Sequence, residues 1–544
     1  MRIALCQLNY KVGDVEGNTG KILEAYKHAV ADKSDLVLFS ELAICGYPPQ
    51  DLLDHPHFIN KCLKALNVLA ENTGETAMIV GCPIRSELKQ GKKLFNSAAV
   101  LCNGKIEQIF SKTLLPNYNI FDEYRYFEPN DSFSLWSFKG LKIAVTICED
   151  LWDLDEPSLY KTSPMVALHK LAPDLLINLS GSPFSYKHIE NRRELMRFNA
   201  QKYNLPLFYV NQVGANTDII FDGGSMFITH EGVIADECEY FEEDCKVVEW
   251  LPNKAYDSHS HNYKNEDIAL IYNALKLGLK DYFNKSGFSK SILGLSGGLD
   301  SAVVTALIAE AIGVENVLPV MLPSKYSSDH SIDDSVELCK NLGLSYEIIP
   351  IEEVVNSLEA ILKPLFKDTK PGVAEENLQA RARGNILMAL SNKFGHILLN
   401  TTNKSEAAVG YGTLYGDLCG GISVLGDVYK TQVYQLAEYI NRHEEIIPQN
   451  ILLKPPSAEL SPGQLDSDSL PDYDVLDAIL CQYIENQLGP LEIIDLGFDA
   501  NLVKKIIAMV DRNEYKRFQF PPILRVSDKA FGIGRKMPVV GKVN

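Results

Sequence analysis

One short stretch of the sequence, SILGLSGGLDSAVVTALIAEAIG from position 291, has an apolar run, a turn of small and acidic residues, and apolar residues at helical spacing. This pattern predicts a buried strand, a Gly-rich turn and a helix. Free N–H groups and the helix dipole at such a helix start favour phosphate. Gly297 and Gly298 would allow close backbone approach, and Ser296 and Ser301 would donate from their hydroxyls. Asp300 would repel phosphate, so we expect it to bind Mg²⁺, which carboxylates and phosphate oxygens hold together.

The same turn lacks the GxxxxGK[ST] pattern of a Walker A loop. Its SGGLDS letters instead resemble the PP-loop of the ATP pyrophosphatase families, which cleave ATP to AMP and pyrophosphate while activating a carboxyl or carbonyl group. An ordinary tight turn with an Asp or Ser helix cap is the alternative. The resemblance implies an ATP-binding segment made of Gly294, Leu295, Ser296, Gly297, Gly298, Leu299, Asp300 and Ser301.

Three further reactive side chains each end an apolar run that predicts a strand: Cys148 after LKIAVTI, Glu41 after DLVLFS and Lys112 after KIEQIF. We expect them to converge at one edge of a sheet, with the thiol exposed. The lysine would lower the pKa of the thiol and stabilise an oxyanion, and the glutamate would take and return the proton. A buried structural cysteine and solvated surface charges are the alternatives for each residue alone.

The blocks around these residues, FSELAICGYPPQDLL, SKTLLPNYNIFDEYRYFEP and ICEDLW, resemble the glutamine-hydrolysing branch of the nitrilase superfamily. The resemblance implies a catalytic triad of Glu41, Lys112 and Cys148. It also implies that Glu123 is a second catalytic acid and that Tyr118 lines a glutamine pocket.

A later block, SGSPFSYKH, is similar to the Ser-Pro-[Phe/Tyr] block of the same superfamily. The resemblance implies that Ser182 contacts glutamine. The superfamily has a lysine about six residues further on, where this chain has His188, with Lys187 beside it. We therefore expect His188 or Lys187 to contact glutamine in place of that lysine.

A nitrilase-like half joined to a PP-loop half resembles the glutamine-dependent NAD⁺ synthetase family over nearly the whole chain. The further blocks that carry this resemblance are EENLQARARGNILMALSN, LLNTTNKSEAAVGYGTLYGDLCGGISVLGDVYKTQV and EYKRFQFPP. They imply ATP contacts at Thr401 and Lys430 and a magnesium site at Asp300 and Glu406. The deamido-NAD⁺ contacts that they imply are Asn377, Arg381, Glu406, Asp417 and Lys516.

The segment KPPSAELSPGQLDSDSLPDYDVLD resembles the mobile loop over the ATP site of this family. Its prolines and acidic run argue against a regular element, and we expect a lid that keeps water from the reaction. Ser461 stands where the family usually has an arginine. Arg381 and Arg383 lie two apart on a predicted helix, so one could bind phosphate while the other packs structurally.

The reaction implied by the family takes ammonia from glutamine and uses Mg²⁺ and ATP to adenylate deamido-NAD⁺. Ammonia then displaces AMP and gives NAD⁺. Water would protonate free ammonia, so the family resemblance also implies a closed path for it, and a homo-oligomer that builds the path.

Several other classes of protein stay open on the residues alone. Another PP-loop glutamine amidotransferase, of the GMP synthetase or asparagine synthetase type, is the nearest, although Arg2 rather than cysteine follows Met1. A tRNA-thiolating PP-loop enzyme would need a basic surface and usually CxxC sulfur chemistry. A carbon–nitrogen hydrolase fused to a nucleotide sensor would not need the magnesium carboxylates, and a purely structural protein would need neither group of residues.

The elements that would position these residues differ between the two halves of the chain. The first half has many short apolar runs, an NGK hairpin signal at 103–105, and predicted helices at Asn18–Ala31 and Glu190–Tyr203. This pattern predicts a mixed sheet protein, and the nitrilase resemblance implies an α-β-β-α sandwich. The second half alternates short strands with helices, which predicts a doubly wound parallel α/β domain with a Rossmann-like sheet.

The composition limits the function further. The 544 residues are enough for two domains, which we place at 1–255 and 256–544, on either side of a polar stretch. The formal net charge of −19 argues against nucleic acid as a partner. We see no signal peptide pattern and no apolar run long enough to span a membrane. The eleven scattered cysteines without a CxxC pair are typical of reduced thiols, so we expect a cytoplasmic protein with small-molecule substrates.

Overall fold

The computed structural model describes residues 1–152, 159–252, 254–259, 267–370, 372–457, 459–461 and 463–541. The chain divides into two compact units, Met1–Asn265 and Glu266–Asn544. Part of the polar stretch predicted to separate the domains, residues 260–266, lies outside the described residues. Among the helices of the described residues, none is both long and apolar enough to cross a membrane.

The first unit contains fourteen strands in its described residues, arranged in two six-stranded sheets and one hairpin. The first sheet has the order β14-β1-β2-β3-β4-β5 and the second has the order β13-β12-β9-β8-β7-β6. The strands are β1 (Arg2–Gln7), β2 (Leu36–Leu38), β3 (Ala77–Arg85), β4 (Leu94–Cys102), β5 (Lys105–Ser111), β6 (Trp136–Phe138), β7 (Leu141–Ile147), β8 (Leu175–Leu179), β9 (Leu207–Val210), β10 (Val213–Asn216), β11 (Ile219–Asp222), β12 (Met226–Ile228), β13 (Ile234–Glu237) and β14 (Asp244–Glu249).

The two sheets pack face to face because their strands are apolar on both sides. In β1, Ile3 and Leu5 belong to a core that also contains residues of the second sheet. The alternate residues Ala4 and Cys6 face a core with the first two helices. A third core joins the outer face of the second sheet to the next two helices. The helices are α1 (Val15–Ala31), α2 (Pro56–Glu71), α3 (Pro164–His169) and α4 (His188–Tyr203). This is the α-β-β-α sandwich that the sequence implied.

The local predictions for the first unit agree with these elements. The NGK signal is the turn between β4 and β5, which pair antiparallel. Asn103 has φ 52° and Gly104 has φ 78°, the left-handed backbone that such a two-residue turn requires. The two predicted helices begin two or three residues earlier than expected, and α1 is capped by the Asp14 carboxylate, which accepts from the Gly17 N–H.

The second unit is built around one parallel sheet of five strands with the order β17-β16-β15-β18-β19. The order reverses between β15 and β18, which is the switch point where doubly wound folds bind ligands, at the carboxyl ends of the strands. Its strands are β15 (Ser291–Gly294), β16 (Val317–Met321), β17 (Glu347–Ile348), β18 (Ile397–Asn400) and β19 (Ile422–Ser423). The predicted parallel α/β fold is confirmed.

The second unit also carries the helices that surround this sheet and form a separate helical core. They are α5 (Asp267–Ser286), α6 (Leu299–Ile312), α7 (Asp329–Leu342), α8 (Glu352–Leu362), α9 (Val373–Phe394), α10 (Lys404–Val409), α11 (Lys430–Ile440), α12 (Gln449–Leu453), α13 (Tyr473–Ile484), α14 (Pro490–Asp495), α15 (Ala500–Arg512) and α16 (Glu514–Arg517).

The Pro-rich loop before α13 is more regular than predicted. Asp466–Asp468 forms a 3-10 turn, and the end of the segment from Tyr473 onwards is already the first part of α13. The expectation that this segment has no regular element is therefore wrong for these two parts. Ala458 and Pro462 lie outside the described residues.

Candidate active sites

The predicted catalytic residues of the first unit meet between its two sheets. Glu41 lies three residues past β2, Lys112 directly follows β5, and Cys148 directly follows β7. The Lys112 Nζ atom is 2.7 Å from Glu41 Oε1, and Cys148 lies within electrostatic reach of both. The expectation of one sheet edge is wrong, because β7 belongs to the second sheet while β2 and β5 belong to the first.

The Glu41 carboxylate is fixed by three donors. Its Oε1 atom accepts from Lys112 Nζ at 2.7 Å and from Asn96 Nδ2 at 2.6 Å, and its Oε2 atom accepts from the Gly181 N–H at 2.9 Å. Gly181 leaves room for this contact, because a Cβ atom there would lie 3.3 Å from Glu41 Oε2. The Glu41 carboxylate is thus held in one orientation by the folded chain itself.

Glu123 shares the same lysine. Its Oε1 atom accepts from Lys112 Nζ and from the Tyr47 hydroxyl, each at 2.8 Å. Burial raises the pKa of Glu123 to about 7, with Lys112 opposing the shift and Glu41 adding to it. Burial by itself would lower the pKa of Lys112, but the charges of Glu123 and Glu41 outweigh it, so the pKa of this ammonium is raised well above its ordinary value.

Cys148 begins a 3-10 turn, Cys148–Leu151, with φ 42°, a left-handed backbone that is strained for any residue with a side chain. Its side chain is buried, with 5% of the residue exposed. Burial, reinforced by Glu41, raises the pKa of this thiol well above its ordinary value in spite of Lys112. The predictions of an exposed thiol and a lowered pKa are both wrong, because several carboxylates and the apolar surroundings outweigh one ammonium.

Asp150, which the sequence analysis did not single out, connects the backbone next to Cys148 to the backbone next to Lys112. Its buried carboxylate accepts from the backbone N–H groups of Thr113 at 3.0 Å, Leu114 at 2.9 Å and Ile147 at 3.0 Å. Thr113 and Leu114 follow Lys112 at the end of a strand of the first sheet. Ile147 precedes Cys148 at the end of a strand of the second sheet. The carboxylate therefore holds the two strand ends together across the core.

Beside Cys148, the predicted glutamine pocket contains a buried carboxylate that the sequence analysis also missed. Glu149 accepts from the Tyr118 hydroxyl at 2.9 Å and from the Tyr160 hydroxyl at 2.8 Å. Burial raises the pKa of Glu149, and Lys112 opposes that shift. The acidic residue directly after the cysteine in ICED was the available signal for this position.

The other predicted glutamine contacts differ in their surroundings. Ser182 is buried, and its backbone N–H and carbonyl both bond to the Asn211 side chain, at 2.9 and 3.1 Å. His188 stacks on Trp152 with ring centroids 4.7 Å apart, directly after the turn that carries Cys148. Lys187 is exposed, and its Nζ lies 5.4 Å from the centre of the Tyr186 ring. Of the two alternatives, His188 is the one that contacts the end of the turn that begins at Cys148.

In the second unit, a cavity of about 290 Å³ lies at the carboxyl ends of β15 and β18, at the switch point of the sheet. All of the residues predicted to bind ATP line it, together with both predicted metal ligands and Asp417. The predicted site residues that line this cavity are Gly294, Leu295, Ser296, Gly297, Gly298, Leu299, Asp300, Ser301, Thr401, Glu406, Asp417 and Lys430.

The SGGLDS turn is held by its own hydroxyl groups. Ser301 Oγ accepts from the Ser296 N–H at 3.3 Å and donates to the Gly298 carbonyl at 3.0 Å. Gly297 has φ 78°, and a Cβ atom there would lie 2.4 Å from the Ser331 carbonyl oxygen of α7. This glycine is therefore required for packing on α7, a reason that the sequence analysis did not foresee.

The charged residues of this cavity are not balanced. Lys430 Nζ bonds to Asp300 Oδ2, while Asn403 Nδ2 donates to Asp300 Oδ1 at 3.0 Å. Burial raises the pKa of Glu406 well above its ordinary value, and the charges of Asp300 and Asp466 add to the shift against Lys430. The carboxylates of Asp300, Glu406 and Asp466 thus repel one another beside Lys430.

This donor set fits the predicted magnesium. Asp300 and Glu406 offer carboxylate oxygens from the first turns of α6 and α10, and their mutual repulsion is what a divalent cation would relieve. Within the described residues, no three Asp, Glu, His or Cys side chains form a ready-made metal site. Phosphate oxygens and water would have to supply the remaining ligands, as is usual for Mg²⁺.

Most residues predicted to contact deamido-NAD⁺ surround the loop of residues 410–417. Asn377 Oδ1 accepts from the Thr413 hydroxyl at 2.6 Å, and Asp417 Oδ1 accepts from the Thr413 N–H at 2.7 Å. The Arg381 Nε donates to the Leu414 carbonyl at 3.2 Å. The three side chains therefore share one short stretch of backbone as their partner.

Lys516 lies against the start of the same loop. Its Nζ donates to the carbonyls of Gly410 and Gly412, at 2.8 and 2.9 Å. Burial lowers the pKa of Lys516, and Asp417 opposes the shift. Glu406, the remaining member of the predicted dinucleotide set, lines the cavity at the switch point of the sheet, as Asp417 also does.

Arg381 and Arg383 point in different directions, as expected for helix neighbours two apart. Arg383 lines the cavity and donates from Nε to the Leu322 carbonyl at 3.0 Å, whereas Arg381 is exposed beside the loop. Arg383, which the sequence analysis left without a specific role, is therefore the one that lines the cavity.

The Pro-rich loop contributes one wall of the cavity through Lys454, Pro455, Pro456, Ser457, Glu459, Leu460 and Asp466. Glu459 accepts from Lys454 Nζ and from the Ser331 hydroxyl, both at 2.8 Å, which ties the loop to α7. Gln379 Nε2 donates to the Leu460 carbonyl at 2.9 Å. Ser461 directly follows Leu460 in the chain, and we assign no role to its side chain.

Comparison with known proteins gives the family. A family model described as carbon-nitrogen hydrolase matches residues 2–250, and one described as NAD synthase matches residues 271–520. A glutamine-dependent NAD(+) synthetase from a Synechocystis species is 47% identical over 99% of this chain and 98% of its own. Another from Thermotoga maritima is 40% identical over 100% of this chain and 99% of its own.

A solved structure agrees over the same length. Glutamine-dependent NAD⁺ synthetase from Acinetobacter baumannii, in complex with ADP, matches 99% of this chain and 98% of its own at 40% identity, with a TM-score of 0.79. The chain therefore belongs to the glutamine-dependent NAD⁺ synthetase family.

Proposed function

We propose that this chain makes NAD⁺ from deamido-NAD⁺, ATP and glutamine. The observation that carries the proposal is the presence, in one chain, of a Glu41–Lys112 pair beside a buried cysteine and a cavity walled by SGGLDS with Asp300 and Glu406. We assign the glutamine-hydrolysing part to residues 1–255 and the synthetase part to residues 256–544.

In the first site, Glu41 takes the thiol proton of Cys148 as sulfur attacks the side-chain amide carbon of glutamine. Lys112 stabilises the oxyanion that forms. Collapse breaks the C–N bond, Glu41 returns the proton to the leaving nitrogen, and ammonia departs from a thioester. Water, deprotonated by Glu41, then releases glutamate and restores the thiol. Burial and the charge of Glu41 raise the pKa of this thiol, which favours the neutral thiol over the thiolate.

The groups around the Cys148 thiol select glutamine. Glu149, held by Tyr118 and Tyr160, offers a negative charge that suits the α-ammonium of an amino acid. Ser182 and His188 are the proposed polar contacts on the other side, with Lys187 as the alternative to His188.

In the second site, the turn at 296–301, Thr401 and Lys430 hold ATP, and the nicotinate carboxylate of deamido-NAD⁺ attacks the α-phosphorus and releases pyrophosphate. Ammonia then attacks the activated carbonyl, loses a proton and displaces AMP. Magnesium, bound through Asp300 and Glu406, would neutralise phosphate charge. Asn377, Arg381, Asp417 and Lys516 position the dinucleotide. The proposal includes a protected path for ammonia, a homo-oligomer and a cytoplasmic setting.

The test is a product assay on the full chain with Mg-ATP and deamido-NAD⁺, supplied with either glutamine or ammonium. Cys148→Ala should lose NAD⁺ formation with glutamine and keep it with ammonium. Cys245→Ala, a change at an exposed cysteine, should behave as wild type with both nitrogen sources. Glutamine hydrolysis without NAD⁺ under any condition would refute the choice of acceptor.

A further inference from the structure

Two cysteines of the first unit face each other across neighbouring strands. Cys6 on β1 is paired with Cys245 on β14 in an unbroken antiparallel register. Cys6 belongs to the core of the first two helices, and Val247, two residues after Cys245 on the same strand, packs against that core. The side chains of the two cysteines therefore lie on the same side of the sheet. Both thiols are free in this structure.

The type of strand pair decides whether the two sulfur atoms can bond. Met1 and Trp250 exchange both backbone hydrogen bonds, at 2.8 and 2.9 Å, so they form a hydrogen-bonded pair. Hydrogen-bonded and non-hydrogen-bonded pairs alternate along an antiparallel ladder. Cys6–Cys245 is the fifth pair further along and is therefore a non-hydrogen-bonded pair. The Cα atoms of such a pair lie about 4.5 Å apart, within the range of about 4.4–6.8 Å that a disulfide allows.

Cys245 is the accessible member of this pair. Among the eleven cysteines, all of which the structure describes, it is the exposed one, whereas Cys6 is fully buried. A hydrogen bond from Cys6 lowers the pKa of Cys245, although partial desolvation and the charges of Asp244 and Glu243 oppose the shift. The same hydrogen bond raises the pKa of Cys6, and burial adds to it. The thiolate therefore forms on the sulfur that solvent can reach.

The other neighbouring thiols do not combine contact with access. Cys45 and Cys62 also hydrogen-bond to each other, but both are buried in the core of the first two helices. The charge of Cys238 raises the pKa of Cys6, but Cys238 belongs to the core between the two sheets, on the opposite face. The exposed thiol of Cys245 therefore has Cys6 as its partner.

We propose that Cys6 and Cys245 form a redox site that hydrogen peroxide converts reversibly into a cross-strand disulfide. The Cys245 thiolate attacks one peroxide oxygen and the O–O bond breaks, which gives a sulfenic acid and a hydroxide that takes up the proton released by Cys245. The Cys6 sulfur then attacks the Cys245 sulfur, the S–O bond breaks, and the departing hydroxide takes the Cys6 proton. Two thiols lose two electrons and two protons, and the peroxide becomes two water molecules.

The surroundings of Cys245 favour a small neutral oxidant. Asp244 and Glu243 place negative charge beside the thiol, which repels an anionic disulfide such as oxidised glutathione but does not repel hydrogen peroxide. The Cα separation of the pair is near the short limit for a disulfide, so the bond would be strained and easily reduced. Until a thiol reductant cleaves it, the bond would tie β14, the edge strand of the first sheet, to β1.

The experiment treats the full chain with hydrogen peroxide in the absence of reductant and then blocks the remaining thiols with N-ethylmaleimide under denaturing conditions. The chain is digested with trypsin and a glutamate-specific protease, and the peptides are identified by mass spectrometry. Cleavage after Glu239 separates Cys238 from Cys245, so the linked peptides identify the pair. We expect a cross-link between Cys6 and Cys245, with the loss of two hydrogen atoms, that dithiothreitol reverses.

The buried pair of Cys45 and Cys62 is the matched control within the chain, and both should remain thiols. Cys245→Ser should give no cross-link and should leave Cys6 reduced. In Cys6→Ser and Cys6→Ala the resolving sulfur is missing, so Cys245 should accumulate as a sulfenic acid that dimedone traps. The alanine variant also lacks a hydrogen-bond donor, so its sulfenic acid should form about threefold more slowly, because a higher thiol pKa costs more thiolate than it gains in nucleophilicity.

Several results would overturn the redox site. They are a cross-link to Cys238, oxidation of wild-type Cys245 to the sulfonic acid without a cross-link, and equal rates of sulfenic acid formation in Cys6→Ser and Cys6→Ala. Oxidised glutathione at the same concentration should form the cross-link more slowly than hydrogen peroxide, and a faster reaction would overturn the choice of oxidant. None of these measurements uses glutamine, ATP or deamido-NAD⁺, so their outcome is separate from that of the proposed function.

Discussion

The two sites both lie at strand ends in their respective units, but they balance their charges differently. In the first site, Glu41 has three donors and Lys112 bonds to two carboxylates. In the second, burial, Asp300 and Asp466 raise the pKa of Glu406, and Lys430 opposes them. Glutamine brings a neutral amide to the first site, whereas ATP brings anionic phosphates and a cation to the second. A site whose charges are already paired within the protein suits a neutral amide. A site whose charges are balanced only when the ligand binds suits ATP and its cation.

A pair of buried lysines gives the sharpest test of this difference. Lys112 bonds to Glu41 and Glu123, and Lys404 in the second unit bonds to Asp427 and Glu485. Lys112→Met should lose at least about 10³-fold in glutamine hydrolysis, because the oxyanion loses its charge partner. Each Lys→Met variant should lose about 3–5 kcal/mol of stability, because two buried carboxylates lose their partner.

The two lysine variants can be told apart optically. All three tryptophans, Trp136, Trp152 and Trp250, lie in the first unit, so urea unfolding followed by tryptophan fluorescence reports on that unit. Lys112→Met should shift this transition. Lys404→Met should shift a calorimetric transition and leave glutamine hydrolysis unchanged. Loss of glutamine hydrolysis in Lys404→Met would contradict the purely structural role of that lysine.

The next largest effect is expected at Lys430, the cation of the second site. Lys430→Ala leaves Asp300 without its partner and removes a charge from the phosphates, so NAD⁺ formation should fall about 10²–10³-fold with glutamine and with ammonium alike. Glutamine hydrolysis, measured as glutamate release, should persist. The control is Lys393→Ala, at an exposed position in the last turn of α9, which should match wild type. Undiminished NAD⁺ formation in Lys430→Ala would show that the phosphates do not need this charge.

A smaller steric effect is expected at Gly181. Gly181→Ala would put a methyl group 3.3 Å from Glu41 Oε2 and 3.2 Å from Tyr47 Cγ, which should displace the carboxylate. We expect about a tenfold loss in kcat/KM for glutamine hydrolysis and about 1–2 kcal/mol of stability. Gly20→Ala, in α1 with nothing within 4 Å, should keep activity and gain up to about 1 kcal/mol. Equal behaviour of the two variants would show that Glu41 tolerates movement.

The smallest effect concerns pH. The ordinary pKa of Glu123 is 4.5, and burial raises it to about 7 in the folded chain. Between these values the folded chain holds a proton that the unfolded chain has lost, so stability falls as pH rises through this window and then levels off. Glu123→Gln cannot titrate and should lose less stability from pH 4.5 to 7 in tryptophan-detected unfolding. Glu75→Gln, at an exposed position, should keep the wild-type dependence of stability on pH. The same dependence in wild type, Glu123→Gln and Glu75→Gln would refute the raised pKa of Glu123.

The residues that carry the proposed chemistry could be predicted because each follows an apolar run or lies in a recognisable block. Cys148 and Lys112 both directly follow strands, as expected. What the sequence could not provide is the environment of each group. The pKa of Cys148 depends on burial and on carboxylates from distant parts of the chain, and Asn96 joins Glu41 to Glu123 from a strand without any motif.

The architecture shows the same division. Alternating apolar residues predict which strands are buried, but they do not say that β5 and β7 belong to different sheets. The contact that bridges those sheets is made by Asp150 through backbone N–H groups, which have no side-chain signature. In the second unit, the parallel order followed from strand and helix alternation, whereas the hydrogen bond between Asp466 and Tyr473 depends on how the loop folds.

The burial of Cys148 has a practical consequence for chemical labelling. All eleven cysteines lie in the described part of the chain, and Cys245 is the exposed one, whereas Cys148 is buried and its thiol pKa is raised. A general alkylating reagent at neutral pH should therefore modify Cys245 first and leave the enzyme active. A glutamine-shaped electrophile should do the reverse, because the pocket delivers it to Cys148 and Glu41 removes the proton there. Reagent shape, rather than thiol reactivity, would decide which cysteine is tagged.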